Sequence, residues 1–188
     1  GQEFTLTASQ TGDTTSANKK WTWDYVREYF KLVGPNANTE TITLQAIKAG
    51  TPSKGITATY ESGTHKGSKT VTPGVAQKEV TVSGITAADK VYDGNNSATV
   101  NASTATITGK VDGDDLTVSV AAGSTFDSAD AGSRTVTLGT LTLGGTSAGN
   151  YTLATSGNQT TATANITVRD LTVKPNSGQS KSYGTTPD

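Results

Sequence analysis

Cysteine is missing from the whole chain, so neither disulfides nor thiolate metal sites are available to it, and cysteine usage assigns no redox compartment. Also missing are a signal peptide and any run of about 18 apolar residues that could cross a membrane as a helix. The stretch is therefore expected not to insert into a membrane itself, with any export signal or anchor lying outside it. A basic excess is lacking too: 15 Lys and Arg stand against 16 Asp and Glu, and the scattered "NKK" and "HKGSK" make no stripe, which argues against nucleic acid as a partner. Aromatics are scarce at 6% and hydrophobic residues reach only 32%, with Thr, Gly, Ala and Ser in their place, so thin two-layer β structure is favoured over a thick core. Disorder does not follow from this polarity, because the net charge is only −1 and Val, Leu and Thr alternate regularly.

The 188 residues suffice for one or two domains. Within them the dominant pattern is the period of two that half-buried strands require, since successive side chains point to opposite faces of a sheet. "LTVSV" sets Leu116, Val118 and Val120 on one face, "RTVTL" sets Val136 and Leu138, and "TLTL" sets Leu141 and Leu143. "YTL" adds Tyr151 and Leu153, and "ATANITV" adds Ala162, Ala164, Ile166 and Val168. Asp93-Gly94, Asp112-Gly113, Gly144-Gly145 and Gly149-Asn150 supply turn signals between these runs. The chain is thus expected to be mainly β, and residues 79–169 predict an antiparallel, immunoglobulin-like β-sandwich of about seven short strands.

A phrase is also repeated. "EVTVSGITAADKVYDGNN" begins at Glu79, and "DLTVKPNSGQSKSYGTTP" begins 91 residues later at Asp170. Thr81, Val82, Lys90 and Tyr92 fall on Thr172, Val173, Lys181 and Tyr183, with Val80 on Leu171. A fainter start, "EFTLTA" at Glu3, lies 76 residues before Glu79. Self-similarity at a fixed period marks an array of modules. The expected organisation is a first module over 1–78, a second over 79–169, and over 170–188 the opening strand of another.

Residues 90–94, Lys-Val-Tyr-Asp-Gly, are followed by Gly113-Asp114-Asp115 and by Gly149-Asn150-Tyr151-Thr152-Leu153. In that order they resemble the YDG repeat of large bacterial surface adhesins of the filamentous-haemagglutinin type, with Lys90, Tyr92, Asp93, Gly94, Asn150 and Tyr151 as its structural signature. The tail resembles the start of a related repeat in which Tyr-Gly replaces Tyr-Asp-Gly. The resemblance covers about half the chain and does not reach 1–78. It implies a tandem module of a secreted or surface-anchored stalk, with neighbouring repeats as partners and no catalytic residues or cofactor.

The first module reads differently. In "KWTWDYVREYFKLVG", Trp23, Val26, Tyr29, Phe30 and Val33 recur at helical steps, and Gly34-Pro35 offers a stop, which predicts a helix over 22–33 in an otherwise β-rich unit. A strand is the alternative, because Trp21, Trp23 and Tyr25 also alternate. Strands are expected at "ETITLQAI", "GITATY" and "KEVTVSG". Trp21, Trp23 and Tyr25 are the candidate ligand-binding aromatics, a surface for a host glycan or protein if an indole is left exposed. Burial of both indoles is the competing expectation.

Three further constellations carry chemistry on paper. "GTSAG" at 145–149 satisfies the nucleophile-elbow pattern, but that turn needs a following helix and a His base, and here a strand pattern follows while the one histidine, His65, sits in the other module. Asp112, Asp114 and Asp115 could offer oxygens to calcium, although an EF-hand loop counted from Asp112 would reach Gly123 where a Glu is needed. Lys90 could join an Asn beside an acid in an intramolecular amide staple, whereas the structural reading packs Tyr92 under a sheet edge with its hydroxyl bonded. Base and nucleophile converge nowhere. The expected function is a non-enzymatic, extracellular spacer, with the N-terminal module as a glycan- or protein-binding domain the alternative.

Overall fold

The computed structural model describes residues 2–9, 19–34, 38–63, 65–178, 180, 183 and 184. They are mainly β. The N-terminal region holds β1 (Glu3–Thr7), β2 (Lys20–Asp24), β3 (Phe30–Leu32), β4 (Thr41–Ala46), β5 (Ile56–Ser62) and β6 (His65–Val71). They form two three-stranded antiparallel sheets, in the orders β1-β4-β3 and β2-β5-β6. Alternation decides which side chains meet: Ile42 and Leu44 of β4 and Ile56 of β5 are buried together with Phe30, and Phe4 meets Phe30 edge-on at 5.6 Å.

The helix expected over 22–33 is not formed. Residues 20–24 are strand β2, pairing Trp21 with Tyr60 and Trp23 with Ala58. The helical spacing further on reflects a single turn, in which the N–H groups of Tyr29 and Phe30 both donate to Val26 O at 3.0 and 3.1 Å before β3 begins. One turn fixes several dihedrals for few hydrogen bonds, so without more partners the sheet register wins. Pro35, the proposed stop, and Lys181, the match to Lys90, lie outside the described residues.

After Val71 the chain continues through β7 (Lys78–Ser83), β8 (Thr86–Ala87), β9 (Lys90–Val91), β10 (Val100–Asn101), β11 (Thr106–Thr108) and β12 (Thr117–Val120). Then follow β13 (Thr125–Phe126), β14 (Gly132–Thr137), β15 (Leu141–Gly144), a 3-10 turn at Ala148–Asn150, β16 (Tyr151–Leu153) and β17 (Thr161–Thr167). The strands read from "EFTLTA", "ETITLQAI", "GITATY", "KEVTVSG", "LTVSV", "RTVTL", "TLTL", "YTL" and "ATANITV" all form. The pairing is not wholly antiparallel as expected: β16 runs parallel to β7 and β17 parallel to β9. Strands this far apart in sequence can lie parallel because the intervening chain supplies the crossover. Two apolar clusters result. Phe126, Val136, Ala164 and Ile166 form one, and Val80, Leu116 and Tyr151 the other. No helix among the described residues is long and apolar enough to cross a membrane.

Candidate functional site

The Lys-x-Tyr-Asp-Gly stretch occupies one end of the C-terminal region. β9 carries Lys90 alongside Ile166 of β17, and the Lys90 ammonium lies 5.7 Å from the centre of the Phe126 ring. From there it donates to Asn95 O at 2.8 Å, Asn95 Oδ1 at 2.9 Å and Ser97 O at 3.3 Å, and pairs with Asp93 Oδ1 at 2.7 Å. That ion pair, with the Asn95 N–H as a second donor, holds the Asp93 carboxyl below the usual carboxylate range. Gly94 takes φ +80°, which closes the turn and lets these groups meet. Lysine, asparagine and acid do come together here, with the ammonium protons directed at oxygen acceptors. Tyr92 departs from expectation: it is 42% exposed instead of packed under an edge. Its position along β9 explains this, since it stands one step past the end of that strand at Val91.

A tyrosine of the C-terminal region that is buried with a bonded hydroxyl is Tyr151, at the opposite end. Its phenol donates to Asp114 Oδ2 and accepts from Val111 N at 3.0 Å. Burial first, and the bond to Asp114 second, raise the Tyr151 pKa above that of a free phenol. Asp115 turns elsewhere. Its carboxylate accepts from Thr146 N at 2.8 Å and Thr146 Oγ1 at 3.0 Å, and those two bonds, the backbone one first, hold its pKa down. Two of the three candidate calcium aspartates thus serve separate polar partners, and no group of three or more His, Cys, Asp or Glu able to hold a metal ion occurs among the described residues. The same bonds shape "GTSAG". Gly145 has φ +94° and approaches so closely that an added Cβ would lie 2.5 Å from Asp115 O, while Ser147 N donates to that oxygen at 2.9 Å. The segment is a turn into β16, not a strand-to-helix elbow.

Asn150 reaches out of its own region. Its Oδ1 accepts from Ala49 N at 2.9 Å, so the Gly-Asn-Tyr stretch touches the N-terminal region, and Gln77 Nε2, just before β7, donates to the adjoining Gly149 O at 3.0 Å. A hollow of about 1090 Å³ beside it is lined by Phe4, Phe30, Lys48, Pro73, Asn150 and Tyr151. Ala49 and Gln77 carried no signal in the sequence, because a backbone N–H and a linker amide belong to no pattern. A YDG domain is found at residues 76–163. It spans just under half of the chain and includes Lys90, Tyr92, Asp93, Gly94, Asn150 and Tyr151. The YDG domain begins two residues before β7 and its match ends inside β17. No curated protein and no solved structure matches the chain.

The candidate aromatics lie outside the YDG domain and separate in the structure. Trp21 is buried at 6% exposure, its ring 4.9 Å from that of Tyr60. Its Nε1 is the one buried side-chain polar atom among the described residues without a hydrogen bond. Trp23 is half-buried and donates from Nε1 to Thr39 O at 3.0 Å. Tyr25 packs against the Phe30 cluster, with the Arg27 guanidinium 5.8 Å above its ring. Trp21 and Trp23 instead line a groove of about 710 Å³ together with Leu6, Ile56, Tyr60 and Lys69. Beside it, β6 has no strand on its far side among the described residues, and 66–71 are all exposed. Tyr60 was legible from the alternation of "GITATY"; β6 was not, because a strand exposed on both faces shows no hydrophobic period.

Proposed function

We propose that this chain is a non-enzymatic, extracellular part of a bacterial surface adhesin, a spacer built of tandem β modules that holds a distal binding region away from the cell. In this reading the YDG domain is one immunoglobulin-like module, the N-terminal region is another, and neighbouring modules of the same chain are the chief partners. The observation that carries it is the restart at Asp170. Val80 and Val82 are 1% and 0% exposed in β7, whereas the residues 91 positions on, Leu171 and Val173, are 88% and 77% exposed. Recurrence of one strand sequence at a fixed period is the mark of a modular array. Antibodies raised against the chain should label intact cells of the encoding bacterium and lose the signal after surface proteolysis. Labelling only after permeabilisation would refute the surface role.

A second reading has its own support. The groove beside Trp21, Trp23 and Tyr60, flanked by the exposed Lys69, would suit a glycan or an extended protein segment, making the N-terminal region a recognition domain. Glycan-array binding that falls on Trp23→Ala, with the fold retained, would favour it. An array without hits leaves the spacer reading ahead.

A further inference from the structure

The inner face of β17 does not stop where the core stops. Ile166 is buried in one cluster with Phe126, and Val168, two residues on and so on the same face, is 75% exposed. Its parallel partner behaves alike. Lys90 pairs with Ile166 over the Phe126 ring, and Tyr92, two residues further, is exposed as well. The Tyr92 N–H donates to Thr167 O at 2.8 Å, which carries the pairing past β9 and brings Tyr92 alongside Val168. A large aromatic and a valine therefore extend the core face into solvent, at the end of the YDG domain where the chain leaves it. The other end, where the chain enters at Gln77, is touched by the N-terminal region through the Ala49 to Asn150 bond.

We propose that Tyr92 and Val168 are the seat of a following module of the same kind, one whose first strand is the segment 170–175. This rests on the spacer reading and gives it a specific joint. The chain itself selects the occupant. A unit that buries Leu171 and Val173 as β7 buries Val80 and Val82 begins at Asp170, two residues beyond Val168, so Arg169 is all the linker there is. At an extended rise of about 3.3 Å per residue, so short a linker keeps the next module against the end of this one. Residues 72–77 give the first junction six residues between β6 and β7, and even there the two regions touch, Ala49 against Asn150. The signature tyrosine of the YDG domain thus acts between modules.

The absence of cysteine makes the test direct. Val168→Cys gives a single thiol, and its labelling rate is read in the 188-residue chain and in a lengthened chain carrying a second copy of 79–169 directly after Arg169. The expected result is labelling slower by about tenfold or more in the lengthened chain, as for a site reached only by local opening. Tyr92→Ser in the first copy should restore the fast rate without unfolding either copy. Equal rates with the second copy folded, as judged by circular dichroism, would overturn the seat and leave the spacer reading standing. A second copy that fails to fold would sink both.

Discussion

The two regions of the molecule reach order by different means. In the N-terminal region strands of five to seven residues carry most of the pairing, and large rings fill the space between sheets: Trp21, Phe30 and Tyr60 are all at or below 6% exposure. The YDG domain has many strands of two to four residues and two smaller clusters, each with one buried ring: Phe126 with Val136, Ala164 and Ile166, and Tyr151 with Val80 and Leu116. Short strands leave backbone groups without ladder partners, and buried ones must be satisfied some other way. Side chains take that place. Gln159 accepts from Ile85 N at 2.8 Å and donates to Ile85 O at 2.7 Å, as a neighbouring strand would. Asn158 does the same for Val82 N at 3.1 Å and Asp89 for Asn165 N at 2.6 Å. One region is held by ring packing and the other by amide and carboxylate surrogates for strands, so they should fail under different insults.

The largest effect should come from the rings. Phe30→Ala removes a fully buried side chain and its edge contact with Phe4, and is expected to cost about 3–5 kcal/mol. In a denaturant titration this loss should appear in the transition of the N-terminal region, leaving that of the YDG domain in place. A common shift of both would show that the two regions unfold as one.

Tyr151→Phe comes next, at about 1–3 kcal/mol, since it strands Val111 N and removes the donor to Asp114 in a buried setting. A pH titration sharpens this. The folded-state pKa of Tyr151 is raised, so the stabilisation it brings is complete below the unfolded value of about 10 and fades as pH climbs through the higher folded value. The variant should lack that alkaline decline. Persistence of the same decline in Tyr151→Phe would assign it to another group.

The smallest effect concerns the contact between regions. Asn150→Ala removes the acceptor for Ala49 N and should cost about 0.5–1.5 kcal/mol, visible mainly as a wider separation between the two unfolding transitions. Unchanged separation would mean the bond does not couple them.

Much of this was legible in the residues. Alternation identified strands at "LTVSV", "RTVTL", "TLTL", "YTL" and "ATANITV" with their faces, and Asp93-Gly94, Asp112-Gly113 and the Gly144-Gly145 pair marked turns in which Gly94, Gly113 and Gly145 take positive φ. Where the reading failed, two signals overlapped or none existed. Trp21 and Trp23 alternate while Val26, Tyr29 and Phe30 step helically, and only the register against Tyr60 and Ala58 decides between them. Tyr92 resembles a core residue in composition, but its exposure depends on the strand ending at Val91. Asn150 gave no sign that its partner was a backbone N–H 101 residues away, because such a bond needs only an unpaired donor and can pick any residue type.

The parallel pairings have a consequence for a chain under tension. Pulled from its two ends, the YDG domain would feel force at the start of β7 and at the end of β17, and both strands have parallel neighbours, β16 and β9. Force along a parallel pair slides one strand past the other, so the evenly spaced hydrogen bonds of that pair bear load together instead of opening one by one. The order of strands in these two sheets thus also places their terminal pairings in shear, the orientation in which so short a ladder resists most.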